Sequence, residues 1–199
     1  MSSTIDPELH RRNFRTVFAL GGLFLLPLLL SFWLYYGVHW HPLGTTNHGD
    51  LIEPLRPLPQ VTLPDAGGTA HSQVFRGKWT LVYVGDGRCD ANCRTTLVFM
   101  RQTRLSLNNE MTRVQRVLLA SAACCDLAYL ASNHPGLLAL DASGAVAQPL
   151  LAQFPADGRA QALYVVDPLG NLMMRYDARL PPKGLLEDLK RLLQLSHIG

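Results

Sequence analysis

Residues 82–97 read VYVGDGRCDANCRTTL. A short apolar run stops at a glycine, and two cysteines four apart, Cys89 and Cys93, follow it. The run begins earlier, as WTLVYVG, and has the β-rich composition and length of a buried central strand. Beyond the cysteines, RTTLVFMRQTRLSLNN carries Leu97, Met100 and Leu105 at roughly helical spacing and ends at Asn108-Asn109, which predicts a helix. The cysteine pair therefore falls on a strand-to-helix turn.

The flanking sequence extends this unit. VQRVLLASAA is a second strand, so strand–helix–strand with a right-handed crossover places the two strands parallel. DLAYLASNHPG is a short helix closed by Pro135 and Gly136. ALYVVDPLGNLMMRYD is a hairpin around Asp167-Pro168-Leu169-Gly170. PPKGLLEDLKRLLQLSHIG is an amphipathic closing helix, and upstream QVTLPDAGGTAHSQV predicts two short strands about a Gly-Gly turn. The order hairpin, strand, helix, strand, helix, hairpin, helix predicts an α/β domain of thioredoxin-like fold, a central mixed sheet flanked by helices, over residues 60–199.

The 199 residues allow one such domain and an appendage. Thr16 to Val38 is free of charge, and a helix of that length reaches about 34 Å, enough for a hydrocarbon core of about 30 Å. Pro27 and Gly21-Gly22 are tolerated in a span, and Trp33, Tyr35, Tyr36 and Trp40 form an aromatic belt at its far end. No small-x-small cleavage site follows, which favours an uncleaved anchor over a signal peptide. Arg11, Arg12 and Arg15 precede the span and no Lys or Arg follows until Arg56. Residues 1–15 are thus expected in the cytoplasm, 16–38 in a bacterial inner membrane, and the remainder in the periplasm. Residues 39–59, rich in proline and without periodicity, read as a tether; His39, His41 and His48 lie in it and are equally well explained as juxtamembrane polar residues.

A net charge of +3 with no basic run interleaved with aromatics excludes nucleic acid as the expected partner. No phosphate loop, paired-carboxylate site or Ser-His-Asp arrangement is present, so hydrolysis is unsupported. In an oxidising compartment the four cysteines are expected to be paired, metal-bound or actively kept reduced.

FRGKWTLVYVGDGRCDANCRTTL resembles the active-site region of the Sco/SenC family, thioredoxin-fold assembly factors for cytochrome c oxidase. In that family Gly-Lys-Trp leads into a strand, then Gly, a Cys-x-x-x-Cys pair and Pro-Thr-Thr-Leu; here Arg94-Thr95-Thr96-Leu97 follows Cys93. LYVVDPLGNL resembles the family's Tyr, two aliphatics, Asp-Pro and Gly hairpin. The resemblance covers roughly residues 60–195 and is diagnostic in these two blocks. This chain departs from it in three places. Asp90 and Arg94 replace the proline after each cysteine. The copper-binding histidine upstream of the hairpin falls, by counting back from Tyr164, at Arg159. An acidic Asp-Pro segment is replaced by SAACCD. The resemblance carries over for Cys89 and Cys93 and fails for the histidine.

Three chemistries remain open for the pair. Helix positions four apart have Cβ atoms about 5–6 Å apart, and a disulfide needs about 3.5–4.5 Å, so a modest adjustment closes one. Two thiolates at that spacing equally clamp Cu(I). An inert structural disulfide is the third reading. An exposed turn at a helix start lowers a thiol's pKa and favours a functional pair. Arginine has no lone pair, so Arg159 cannot ligate; it is expected near Cys89 and Cys93, where with Arg88 and Arg94 it would favour thiolate and exchange. Cys124 and Cys125 follow the parallel strand and are expected near the same sheet edge, as a resolving thiol, a replacement copper ligand or small buried thiols. His134, Met100, Met173 and Met174 are weaker ligand candidates. The resulting expectation is a membrane-anchored Sco-like factor. Its partner would be a cytochrome c oxidase subunit or another copper-site assembly factor. It would act as a thiol–disulfide oxidoreductase, with a Cu(I) metallochaperone and a non-catalytic structural partner as the alternatives.

Overall fold

The computed structural model describes residues 7–37, 46–122 and 126–199. His39, His41, Trp40, Cys124 and Cys125 lie outside the described residues. The chain divides into two compact units, Met1–Thr45 and Thr46–Gly199.

In the first unit helix α1, Pro7–Phe32, runs through Pro27 and ends in one π turn, Trp33–Gly37. Its stretch Phe14–Gly37 is long and apolar enough to cross a membrane, and its Leu and Phe side chains are exposed. It is a candidate membrane span.

The second unit is built on a six-stranded sheet. Its strands are β1 (Asp50–Pro57), β4 (Trp79–Gly85), β5 (Val114–Ala120), β6 (Leu137–Asp141), β7 (Ala162–Val166) and β8 (Asn171–Asp177), in the order β1-β8-β7-β4-β5-β6. The short strands β2 (Leu63–Pro64) and β3 (Ala70–His71) pair with each other. Asp65 caps their turn by accepting from the Gly67 and Thr69 N–H groups, and Gly68 supplies the positive φ of 86°. Strand β4 pairs parallel with β5 from Trp79↔Val114 to Gly85↔Ala120, as a right-handed crossover requires, and antiparallel with β7.

Every residue of β4 is buried, which is why its sequence is apolar but for Thr80, whose hydroxyl donates to the Lys78 carbonyl and accepts from Gln115. Its alternation splits the core. Trp79, Leu81 and Tyr83 face one layer with Leu97 and Met100 of helix α2 (Ala91–Leu105), Leu130 of α3 (Leu127–Asn133), and Leu185, Leu189 and Leu193 of α5 (Lys183–Leu195). Val82 and Val84 face the other layer, with Phe75, Phe154, and Leu150 and Leu151 of the single-turn α4 (Gln148–Leu151). Met100 and Met174 are core residues, at 0% and 2% exposure, and Met173 packs against the same layer.

Two elements depart from the expected plan. Residues 50–57, expected in the tether, form edge strand β1 on β8, so the folded unit starts before Gln60. Pro54 and Pro57 hide it in the sequence. A proline removes a ladder donor and is tolerated at an edge, and only Ile52 of the strand is buried. Strand β6 was not expected; LLALD is too short and too leucine-rich to be told from a loop by pattern.

The chain just before β1 is held by α5. Asp188 Oδ2 accepts from the His48 N–H at 2.7 Å, the Gly49 N–H at 3.0 Å and the Tyr176 hydroxyl at 2.6 Å. Arg191 donates to the Thr46 carbonyl one turn on, and His48 Nε2 lies 2.8 Å from Glu187. Gly184 leaves the room: a Cβ there would meet His48 Cβ at 2.6 Å. His48 is thus a docking residue. Asp188→Ala leaves three donors without their acceptor in a buried place, and is expected to lower stability by about 2–4 kcal/mol, read as a lower urea midpoint at unchanged slope.

Candidate functional site at the Cys89–Cys93 turn

The motif sits where β4 ends. Ser121, just past β5, donates its N–H and its hydroxyl to the Gly85 carbonyl, so the two parallel strands finish at one sheet edge. Gly87, with φ 86°, turns the chain, and the Asp86 carboxylate accepts from the Arg88 N–H. Asp90 then caps α2 by accepting from the Cys93 N–H at 2.9 Å.

Cys89 and Cys93 are joined by a disulfide with a Cα–Cα distance of 4.9 Å. The two cysteines are not a pair of positions on one helical face. Cys89 precedes the cap in the left-handed region, φ 49°, uncommon for a residue with a side chain, and Cys93 is the third helical residue. That backbone excursion supplies the adjustment the helical spacing lacked.

The two cysteines are not exposed, in contrast to expectation, although Asp86, Arg88 and Asp90 of the turn are. Cys89 is 5% and Cys93 4% accessible, and both belong to the core layer of Tyr83, Leu97, Leu118 and Leu163. The bond is thus largely shielded by that layer.

The electrostatics are mixed rather than uniformly cationic. Arg94 Nε donates to the Cys89 carbonyl at 3.3 Å, and its guanidinium lies 4.7 Å from the Tyr129 ring centroid. Against it stand Asp86 and Asp90, which after burial are the causes that push the Tyr83 phenol up to about 12. Tyr83 donates to the Ala160 carbonyl at 2.9 Å. Arg88 is exposed beside the pair.

Arg159 lies in a short 3-10 turn, Arg159–Gln161, that opens β7. Its guanidinium donates to the carbonyls of Phe154 at 2.7 Å and Pro155 at 3.4 Å, and its charge acts on Tyr164, whose ring belongs to the opposite core layer. Arg159 braces a loop there; its bonds do not run to the cysteines.

His134 is a buried residue of the α3 C-terminus. Its Nε2 pairs with the Tyr129 hydroxyl at 3.1 Å, and its Nδ1 has no partner. Among the described residues no group of three His, Cys, Asp or Glu side chains is placed to hold a metal. After reduction the two sulfurs could serve a soft cation as a two-thiolate donor set. Tyr83, Tyr129 and the capping role of Asp90 were not singled out from the sequence; Asp90 at the start of an apolar-periodic run was the one available signal.

The family model for a transmembrane-like, thioredoxin-like, C-terminal domain matches residues 79–196, which holds the motif, the whole α/β crossover and the closing helix. The chain belongs to this family. No curated protein sequence matches it. Among solved structures, copper-bound ScoI of Bradyrhizobium japonicum is 19% identical with a TM-score of 0.54, covering 68% of this chain and 99% of that one. Copper-bound yeast Sco1 is 17% identical with a TM-score of 0.59, covering 77% and 96%. BsSco, described with a disulfide switch as a Sco-family cytochrome c oxidase assembly protein, is 16% identical with a TM-score of 0.53, covering 74% and 98%. At such identities the likeness is one of fold, and this member of the transmembrane-like, thioredoxin-like family has the Sco/SenC fold.

Two predictions follow from the site's supports. Asp90→Ala removes the α2 cap and is expected to lower stability by about 1 kcal/mol in denaturant titrations of the oxidised protein. His134 is held below its ordinary 6.5 by burial first and by the Arg116 and Arg101 charges next. The unfolded chain therefore takes up the proton at a higher pH than the folded one. Stability from this group is full above about pH 6.5 and is lost as pH falls through the depressed value. Denaturant midpoints at about pH 7.5 and about pH 5 should differ less in His134→Leu than in the unaltered protein.

Proposed function

We propose that the chain is a membrane-anchored thiol–disulfide factor of Sco type, working on a copper-site protein such as a cytochrome c oxidase subunit or one of its assembly partners. The observation that carries this reading is the Cys89–Cys93 disulfide, closed across a strand-to-helix turn in a Sco fold. The Arg11, Arg12 and Arg15 side of the span is assigned to the cytoplasm and the domain to the periplasm, on the positive-inside rule.

In the reaction the reduced pair meets a partner disulfide. The thiolate of one cysteine attacks a partner sulfur, forming a mixed disulfide and releasing the partner's other sulfur as thiolate. The second cysteine then attacks the first, re-forming Cys89–Cys93 and releasing the partner's remaining thiol. Two electrons pass to the partner, and a thiol reductant of the compartment restores the dithiol.

Copper as cargo is the second reading, favoured by the copper-bound state of the Bradyrhizobium and yeast neighbours. It needs a third ligand in place of the family's histidine, because Arg159 offers only donors. Cys124 and Cys125 are proposed for that place, or as resolving thiols for the exchange.

The full chain in detergent, reduced, should reduce a model peptide disulfide, and Cys89→Ser or Cys93→Ser should abolish turnover. Turnover in both variants equal to that of the unaltered chain would sink the redox reading. Alongside, a Cu(I) competition titration separates the readings. One tightly held copper lost in either serine variant would establish the carrier, whereas the exchange reading expects none.

A further inference from the structure

We propose that Tyr129 is a positioning residue for the Cys89–Cys93 pair: its ring holds the Arg94 guanidinium against the Cys89 carbonyl, and the cation so placed raises the pair's reduction potential. The inference rests on the redox reading of the pair given above.

Arg94 is an exposed side chain with several free torsions, and left to solvent it would spread its charge over many rotamers. Two contacts restrict it. Nε donates to the Cys89 carbonyl at 3.3 Å, and the guanidinium carbon lies 4.7 Å from the Tyr129 ring centroid, within cation–π range. The first contact is long and the carbonyl is at the site itself. The second comes from a different element, α3, and reaches across to α2.

The ring that makes it is itself well fixed. The Tyr129 N–H is capped by Asp126 Oδ1 at 3.0 Å. Its hydroxyl meets His134 Nε2 at 3.1 Å, and its ring stands edge-on to the His134 ring at 5.3 Å. One side of Tyr129 packs on the core layer that contains Cys89 and Cys93. A partly buried ring thus holds an exposed cation, next in sequence to Cys93, against the Cys89 carbonyl.

That placement bears on redox chemistry because two carboxylates at the turn oppose it, the exposed Arg88 being the other cation there. The Asp90 carboxylate occupies the α2 N-terminus at the Cys93 N–H, where an uncapped helix start would favour thiolate. Asp86 adds a second negative charge at the turn. Arg94 is the cation bonded to the motif's own backbone. When a dithiol such as dithiothreitol reduces the protein, its two sulfurs join in a ring while the Cys89–Cys93 bond breaks, and two electrons pass to the protein's sulfurs. One protein sulfur can remain thiolate, its proton going to solvent. A nearby cation stabilises that reduced form, which moves the equilibrium away from the disulfide.

The test is equilibration of the full chain in detergent with dithiothreitol redox buffers. It is read by mass spectrometry of the alkylated Cys89–Cys93 peptide, so that Cys124 and Cys125 do not contribute. Arg94→Met and Tyr129→Leu should each move the equilibrium constant about three- to tenfold toward the disulfide. The double variant should move it no further than the larger single change, since both remove one device. Tyr129→Phe keeps the ring and should match the unaltered protein. Should Tyr129→Leu fail to fold, Arg94→Lys decides: an ammonium neither lies flat on the ring nor keeps the Nε bond, and should shift the constant in the direction of Arg94→Met. An unaltered constant in Tyr129→Leu beside a shifted Arg94→Met overturns the inference, as do additive effects in the double variant or an unaltered Arg94→Lys. A native disulfide that dithiothreitol does not reduce would instead remove the redox reading itself, an outcome distinct from a reducible pair indifferent to Tyr129.

Discussion

The parallel pairing of β4 with β5 is the constraint from which the rest of the domain follows. A strand buried on both faces needs cover on both, and a parallel neighbour needs a crossover to bring the chain back. Helix α2 is that crossover, so the peptide between β4 and α2 must turn sharply at the sheet edge, and the cysteines sit in that turn. The register Gly85↔Ala120, tightened by the Ser121 bonds to the Gly85 carbonyl, fixes where the turn begins. Asp90 then fixes where the helix begins. With both ends set, Cys89 takes the left-handed conformation that lets its sulfur reach Cys93.

Burial gives the pair its chemical character. A disulfide open to solvent would exchange with any thiol that diffused past, whereas the layer of Leu97, Leu118 and Leu163 shields this one. Asp86 and Asp90 on one side and Arg88 and Arg94 on the other leave the turn near electrical balance, so that the placement of one side chain matters.

The central elements were legible in the sequence because their patterns have a single physical explanation. The short length and β-rich composition of the apolar run WTLVYVG fit a strand covered on both faces, and Asp167-Pro168-Leu169-Gly170 between two apolar runs is a hairpin turn. There Gly170 takes φ 84° and the Asp167 side chain accepts the Asn171 N–H. The leucines of α5 likewise read as one face, and three of them are buried as a stripe. What escaped reading depended on the path of distant chain. Strand β1 looks like a proline-rich linker until β8 offers it an edge. The cysteines looked exposed because α3, whose Tyr129 packs on their layer, is remote in sequence. Arg159 looked like a neighbour of the cysteines because counting along the chain places it at the right strand end. Only the trace of residues 154–155 shows its guanidinium bonded on the other side of the sheet. Side-chain direction, not position, was the missing quantity.

The clasp formed by Asp188 has a mechanical meaning. Tension arriving along the chain from its N-terminal side reaches Thr46–Gly49 before it reaches any strand. There it meets Arg191, Glu187 and Asp188, spaced along one face of α5. The load passes into a helix whose opposite face is buried in the same layer as the disulfide, and the edge ladder of β1 on β8 is spared. Without these bonds a pull on the chain before Thr46 would load that proline-interrupted edge directly; the clasp makes α5 the strain relief.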